Sequence, residues 1–139
     1  MKRKIIIASH NHMASGLKST LEFIAGKQDN VEVLDAYVDG NPVEDKVKSL
    51  FDDVDTDDEV VVFTDMLAGS VNQKFFPYRT REHTHIITGM NLPVVLGVAL
   101  ENTDNYISVD RIHHIIEESR QALQYVNEFQ VDDDDEEDE

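Results

Sequence analysis

Several features that are common in other protein classes are missing from this sequence. Its 139 residues include no cysteine, so nothing in it asks for an oxidising compartment. The apolar run at residues 5–8 is too short for a signal peptide, and no apolar stretch approaches the roughly 20 residues that span a bilayer. We therefore expect a cytoplasmic protein that is not inserted in a membrane.

Basic residues are also scarce. The chain has 12 Lys and Arg against 29 Asp and Glu, and its formal net charge is −17, which disfavours binding to nucleic acid. The last eight residues, 132–139, are all acidic, and such charge runs are typical of disordered, solvated tails. We predict one domain over residues 1–130 and a disordered acidic tail over 131–139, with a role in binding a basic partner as the alternative for the tail.

Motifs for nucleotides and metals are absent or incomplete. Neither GxxxxGK[ST] nor GxGxxG occurs, so the sequence does not predict a nucleotide-dependent enzyme. His10 with His12, and His83 with His85, have a spacing that zinc ligands can have, but no further ligands at recognisable spacing complete either pair. The aspartate repeat 53–57 lacks the glycine and glutamate of a calcium loop. We predict no metal and no cofactor, and a metal assay would test the alternative of a metal-dependent hydrolase.

Strand and helix patterns alternate along the chain. Apolar, β-branched segments predict strands at residues 4–9, 31–39, 60–64 and 85–88. Apolar residues at helical spacing predict helices at 13–26 and 42–54, from 69, from 92, and at 109–126. This alternation is typical of an α/β fold with a doubly wound, mostly parallel sheet and helices on both faces. In such sheets, ligands gather at the carboxyl ends of the strands.

Two of these strand ends carry residues suited to phosphoryl transfer. His10 follows the first strand and Asp65 follows the third, with Ser70 five residues further on. An imidazole can accept and release a phosphoryl group when one ring nitrogen is unprotonated and the other donates its proton to a carboxylate. We predict that Asp65 orients His10, and that the Ser70 hydroxyl and nearby backbone N–H groups bind the phosphoryl oxygens.

Each of these residues also has an ordinary structural interpretation. His10 can be a loop residue at a strand end, as can His12, and Asp65 and Ser70 can be helix-capping residues. The spacing of the residues leaves these alternatives open.

Three sequence blocks, in order, together resemble one family. They are Ile-Ile-Ile-Ala-Ser-His at 5–10 with Ala-Ser-Gly-Leu at 14–17, Val-Val-Phe-Thr-Asp-Met-Leu-Ala-Gly-Ser-Val-Asn at 61–72, and Thr-Gly-Met-Asn-Leu-Pro at 88–93. Over residues 3–128 the chain resembles the mannose-type enzyme IIA domains of the bacterial phosphoenolpyruvate:sugar phosphotransferase system (PTS).

The resemblance implies a phosphohistidine carrier, a transferase component of sugar uptake. His10 would receive the phosphoryl group from the phosphocarrier protein HPr and pass it to a separate IIB component, which serves a IIC/IID permease. Asp65 would orient His10, and Ser70 would lie near the phosphoryl group. The family is usually a homodimer that exchanges an antiparallel C-terminal edge strand. Residues 126–129 are the candidate for that strand, so the last helix should end before the periodicity suggests.

The sequence departs from the family pattern at three positions near the site. Asn11 stands where glycine is usual, although asparagine tolerates left-handed backbone geometry. Ala68 replaces the first glycine of Gly-Gly-Ser, and Val71 stands where proline is frequent. His12 has no fixed counterpart and is predicted to be a loop residue, with competition for phosphate or pH sensing as alternatives.

Two other functions stay open at this point. The chain could be the phosphotransfer subunit of a dihydroxyacetone kinase system, or a regulatory IIA-like binding module without turnover. The sequence does not identify the sugar.

Overall fold

Four parallel strands form the centre of the computed structural model, which describes residues 1–130. The strands are β1 (Arg3–His10), β2 (Val31–Ala36), β3 (Glu59–Thr64) and β4 (Thr84–Thr88). They lie in the order β2-β1-β3-β4, with every neighbouring pair parallel. The helices are α1 (Met13–Ala25), α2 (Val43–Leu50), α3 (Ser70–Phe75), α4 (Leu92–Ala99) and α5 (Val109–Gln121). Short 3₁₀ helices follow α3 at Phe76–Thr80 and α5 at Val126–Glu128.

The sheet is covered on both faces, and β1 shows why. Its central isoleucines are fully buried, and alternate side chains of a strand point to opposite faces. Ile5 and Ile7 join the apolar cluster that contains residues of α1, α4 and α5, whereas Ile6 joins the cluster that contains residues of α2 and α3. The predicted doubly wound α/β fold is therefore confirmed.

The strand register produces a crevice at the carboxyl end of the sheet. The pairing of β1 with β3 ends at Ala8 and Thr64, but β1 continues for two more residues to His10, which pairs with Ala36 of β2. After these strands the chain leaves towards opposite faces, because α1 packs in one apolar cluster and α3 in the other. This is the point at which the strand order reverses, where doubly wound folds bind ligands.

The amino end of the sheet is closed by a buried ion pair. Arg3 and Glu59 contact each other with almost no exposed side-chain surface. Glu59 Oε2 also accepts a hydrogen bond of 2.7 Å from the Ile107 backbone N–H, and the Arg3 guanidinium donates to the carbonyls of Asn102 and Asn105 at 2.8 Å each. These bonds attach the 101–107 loop to the sheet, so both charges are satisfied inside the protein.

The C-terminal part differs from the sequence prediction. The helix predicted to reach residue 126 ends at Gln121, as the family resemblance suggested. Val126–Glu128 form a 3₁₀ helix, and residues 1–130 contain no antiparallel strand. The apolar side chains of this segment are mostly exposed, so burial in a core holds it neither in a helix nor against the sheet: Leu123, Val126 and Phe129. The tail predicted at 131–139 lies outside the described residues.

The ends of one strand and one helix also differ from those predicted from the sequence. β2 ends at Ala36 rather than near 39, because Tyr37 turns the chain with φ 67°. α2 ends at Leu50, and Phe51 and Val54 reach the core from turns. None of the helices described within residues 1–130 combines the length and the apolar character needed to cross a membrane.

Candidate functional site

His10 ends β1, and its side chain lies against the carboxylate that follows β3. His10 Nδ1 is 2.7 Å from Asp65 Oδ2, and the His10 backbone N–H donates to the same oxygen at 2.8 Å. Asp65 Oδ1 accepts the Met66 backbone N–H at 3.0 Å. Both carboxylate oxygens are therefore hydrogen-bonded, and the ring of His10 is held at one edge while the side chain stays 39% exposed.

This contact settles the tautomer of the neutral ring. A carboxylate only accepts hydrogen bonds, so Nδ1 must carry the proton that it donates to Asp65. Nε2 is then the unprotonated nitrogen, with its lone pair directed away from Asp65. The Ser70 hydroxyl lies on that side, with Oγ 3.3 Å from His10 Nε2.

Asp65 is kept ionised by its hydrogen bonds. Burial of the carboxylate would by itself raise its pKa, but the backbone and side-chain hydrogen bonds from His10 outweigh that effect, so the pKa of Asp65 is lowered from its ordinary value. A negative charge therefore stays next to the His10 ring at neutral pH.

The loop after Asp65 approaches the His10 ring because residue 69 is glycine. A Cβ atom at Gly69 would lie 3.0 Å from His10 Cε1 and 2.8 Å from Met66 Cγ, closer than normal contact. Two hydrogen bonds of the Asn72 side chain also connect this loop to the end of β3. Thr64 Oγ1 donates to Asn72 Oδ1 at 2.9 Å, and Asn72 Nδ2 donates to the Leu67 carbonyl at 3.1 Å. Ser70 opens α3, whose first backbone N–H groups have no intrahelical acceptor.

The structure thus brings together the three predicted site residues, His10, Asp65 and Ser70. Their chemical roles remain predictions. Sequence reasoning assigned no role to Asn72, although it lies in the second sequence block, because its contribution is a buried side-chain hydrogen bond that spacing does not reveal.

Sequence reasoning also missed Tyr37. Its hydroxyl is 2.6 Å from Ser70 Oγ, and its ring centroid is 5.6 Å from that of His10. Tyr37 follows the last residue of β2, so the strand-end rule that singled out His10 and Asp65 would have found it, had β2 been predicted to end at Ala36.

His12 forms a second histidine–carboxylate pair nearby. His12 Nδ1 is 3.3 Å from Asp35 Oδ2, and Asp35 Oδ1 accepts the Ser15 backbone N–H at 3.0 Å. Burial would raise the pKa of Asp35, but hydrogen bonds from Ser15 and His12 lower it overall. The His12 side chain is 70% exposed at the start of α1.

The three departures from the family pattern fit the backbone. Asn11 has φ 55°, in the left-handed region that asparagine tolerates, and its N–H donates to the Ala36 carbonyl at 2.9 Å. Ala68 is exposed, whereas the neighbouring Gly69 is the residue that contacts the site. Val71 is fully buried in the apolar cluster on the α2 and α3 face of the sheet.

The candidate metal-binding histidines are engaged in other contacts. His83 stacks on Tyr106 with ring centroids 3.8 Å apart, and His85 Nε2 is 3.2 Å from the Ile107 carbonyl. Within residues 1–130, one group of three acidic side chains lies close enough to share an ion, at Asp55, Asp57 and Asp58. Asp58 in this group accepts backbone hydrogen bonds from Lys2 and Asp55, so it has a structural role in the turn before β3.

A comparison with family models gives one match. The model of the EIIA-man family, described as the PTS system fructose IIA component, matches residues 4–117. This match runs from the second residue of β1 to the middle of α5, and it therefore includes the whole candidate site.

Solved structures give matching results. A Klebsiella pneumoniae protein described as a phosphoenolpyruvate-dependent sugar PTS permease is 34% identical, with 92% of this chain and 93% of that chain covered and a TM-score of 0.81. The PTS IIA protein associated with the fucose utilization operon of Streptococcus pneumoniae is 27% identical, with 91% and 95% covered and a TM-score of 0.75. The mannose/sorbose-specific IIA subunit of Enterococcus faecalis, 16% identical, covers 95% and 100% with a TM-score of 0.77 and shows the fold alone.

Proposed function

This chain belongs to the EIIA-man family of PTS system fructose IIA components, and we propose that it carries a phosphoryl group on His10. Family membership supports a phosphotransfer role in a sugar PTS. The finer proposal is that the donor is phospho-HPr and the acceptor a IIB component, which serves a IIC/IID permease. The observation that carries it is the 2.7 Å contact from His10 Nδ1 to Asp65 Oδ2, which leaves Nε2 as the nucleophile.

The proposed transfer step uses this geometry. The Nε2 lone pair of His10 attacks the phosphorus of the phosphohistidine of HPr in line with the bond that breaks. The N–P bond to HPr breaks, and its electron pair returns to the HPr imidazole. As the new N–P bond forms, the His10 ring becomes cationic, and the ionised Asp65 stabilises that charge through Nδ1–H.

The phosphoryl oxygens need donors on the other side of the ring. The Ser70 hydroxyl, 3.3 Å from Nε2 before the reaction, is placed to donate to one of them. Backbone N–H groups in the first turn of α3 supply further donors. Transfer to IIB is the same step in reverse, with the IIB nucleophile attacking the phosphorus and His10 Nε2 as the leaving atom.

Docking would use the surface around His10. Met13, Met66 and Leu67 lie near the site in sequence and are each about half exposed or more. The chain is also acidic, so a partner with a basic face would associate faster. A homodimer is part of the proposal, since the family usually forms one.

Phosphorylation by a reconstituted relay tests the proposal. The purified chain is mixed with phosphoenolpyruvate, enzyme I and HPr, and intact mass is measured for the wild type, His10→Ala and His12→Ala. We expect one added phosphate, acid-labile and base-stable, on the wild type and His12→Ala but not on His10→Ala. Phosphate lost only in His12→Ala would move the acceptor to His12. No phosphate on the wild type, with HPr demonstrably charged, would favour a regulatory module without turnover.

A further inference from the structure

Tyr37 contacts the candidate site at two places although it is not one of the predicted site residues. Its hydroxyl is 2.6 Å from Ser70 Oγ, and its ring is tilted by 33° against the His10 ring. Tyr37 as a whole residue is 54% exposed, so burial in the core does not explain its position. One contact is a hydrogen bond and the other is between aromatic rings, and both are made with residues of the candidate site.

The backbone of Tyr37 is also unusual. Its φ of 67° lies in the left-handed region, which a bulky residue without a special reason seldom adopts. Such conformations cost free energy and persist where the surrounding structure requires them, often at functional sites. Here the left-handed turn ends β2 at Ala36 and places the Tyr37 side chain next to Ser70.

The direction of the hydrogen bonds follows from Asp65. Because Nδ1 of His10 donates to Asp65, the unprotonated Nε2 can only accept, and the one hydrogen of the Ser70 hydroxyl points to it. Ser70 then has only lone pairs to offer Tyr37, so the Tyr37 hydroxyl is the donor in their contact. A chain of donors therefore runs from Tyr37 through Ser70 to His10 Nε2.

We propose that Tyr37 is a positioning residue that keeps the hydroxyl hydrogen of Ser70 directed at the group on His10 Nε2. This inference rests on the proposed phosphoryl transfer at His10. When Nε2 bonds to phosphorus, its lone pair is used, and the Ser70 hydrogen turns to a phosphoryl oxygen. Tyr37 keeps donating to Ser70 Oγ during this change, so Ser70 stays a donor on the His10 side.

Without the hydrogen bond from Tyr37, the Ser70 hydroxyl can adopt other orientations. Free to rotate, the Ser70 hydrogen can turn to water or to a backbone carbonyl, and it then has to reorient in each transfer step. Removing the Tyr37 hydroxyl should therefore slow transfer by about two- to ten-fold, the range of one lost neutral hydrogen bond. The ring of phenylalanine keeps the contact with His10, so docking of HPr should not change.

A double-mutant cycle separates this role from a structural one. Single-turnover transfer from phospho-HPr is measured for the wild type, Tyr37→Phe, Ser70→Ala and the double variant, at several HPr concentrations. Tyr106→Phe is the matched control, because it also removes one 2.6 Å tyrosine hydrogen bond, to the Asp57 carbonyl at the other end of the sheet.

The expected result is non-additive. Tyr37→Phe lowers the maximal rate without changing the half-saturating HPr concentration, and the double variant is no slower than Ser70→Ala alone. The ¹⁵N resonance of His10 Nε2 in the unphosphorylated protein moves towards that of a free acceptor in Tyr37→Phe. Tyr106→Phe matches the wild type in both measurements.

Two results overturn the inference while phosphoryl transfer itself stands. One is a Tyr37→Phe rate equal to the wild type. The other is an effect that adds fully to that of Ser70→Ala, which would mean that Tyr37 acts by another route. If the wild type accepts no phosphate from charged HPr, the proposed function fails and the role of Tyr37 fails with it.

Discussion

Two histidine–carboxylate pairs flank the end of β1, and only one has the surroundings of a phosphoryl acceptor. In both pairs, Nδ1 faces a carboxylate oxygen, at 2.7 Å for His10 with Asp65 and 3.3 Å for His12 with Asp35. The side chain of His10 is 39% exposed and that of His12 is 70% exposed. The orienting carboxylate is therefore common to both, and it does not by itself select the acceptor.

The difference lies at the other ring nitrogen. His10 Nε2 faces the Ser70 hydroxyl, and the Gly69 backbone approaches the ring. In the described part of the chain, His12 Nε2 makes no such hydrogen bond, and Asp35 also caps the first turn of α1 through Ser15. The comparison indicates that donors for the phosphoryl oxygens distinguish His10 from His12. Asp35, the partner of His12, mainly stabilises the start of α1.

The largest expected contrast is between the two carboxylates. Asp65→Asn should slow transfer from phospho-HPr by about 100-fold, because the amide neither stabilises the cationic ring nor fixes the tautomer. Asp35→Asn, the matched control, should stay within about two-fold, a change typical of a site outside the chemistry. Single-turnover rates measure both. Equal losses in the two variants would remove the distinction between the pairs.

The second contrast concerns two glycines, Gly69 beside His10 and Gly16 beside His12. Gly69→Ala would place Cβ 3.0 Å from His10 Cε1, so the ring or the loop must shift, and a slower transfer of about ten-fold is expected for such a misplacement. Gly16, in α1 close to His12, has no atom within 4 Å of an added Cβ. Gly16→Ala should leave the rate unchanged.

A Gly69→Ala variant with the wild-type rate would show that the close approach of the loop is not needed. The free energy of unfolding has to be compared as well. Gly16 is exposed within α1, and alanine at such a helical position stabilises a protein by about 0.5–1 kcal/mol relative to glycine. Thermal unfolding of both variants therefore accompanies the rate measurement.

Much of the fold and part of the site were predictable from the sequence. The three consecutive isoleucines of β1 predicted a strand buried on both faces, and the strand-end rule brought His10 and Asp65 together. The end of α5 was not predictable from periodicity, because Leu123 and Val126 continue the helical spacing yet are 87% and 68% exposed. Apolar spacing indicates a helix only where a core exists to receive it.

The contacts of Tyr37 and Asp35 were missed for a related reason. Both depend on where β2 ends and on which neighbouring loop lies opposite, and neither is set by local sequence pattern. Left-handed backbone is usually predicted from glycine, and the residue in this conformation here is Tyr37. Tertiary contacts of this kind appear only once the strand order β2-β1-β3 is known.

A third contrast separates stability from transfer. Asp35→Ala removes the acceptor for the Ser15 N–H at the start of α1, so the free energy of unfolding should fall by about 1 kcal/mol, as for the loss of a helix cap. The transfer rate should stay near that of the wild type. Urea unfolding and single-turnover transfer on the same preparation measure the two effects. A large loss of rate with unchanged stability would assign a chemical role to the His12 pair.

The smallest expected effect is on the acid dependence of stability. The pKa values of Asp65 and Asp35 are both lowered in the folded protein. Burial by itself would raise them, but the hydrogen bonds to each carboxylate outweigh that effect. A lowered folded-state pKa means that each carboxylate stabilises the fold above its unfolded value of about 3.9, and that this contribution is lost as the pH falls through the folded value.

Replacing either carboxylate by an amide removes that proton linkage. Between about pH 5 and pH 3, the free energy of unfolding should therefore fall less steeply in Asp65→Asn and Asp35→Asn than in the wild type. Asp65 accepts two hydrogen bonds from His10 and one from Met66, so Asp65→Asn tests this linkage at the candidate site itself. Urea unfolding at a series of pH values gives the slopes. A steeper fall in Asp65→Asn would mean that the pKa of the Asp65 carboxyl is raised in the folded state, which would contradict the stabilisation of its ionised form by the hydrogen bonds from His10 and Met66.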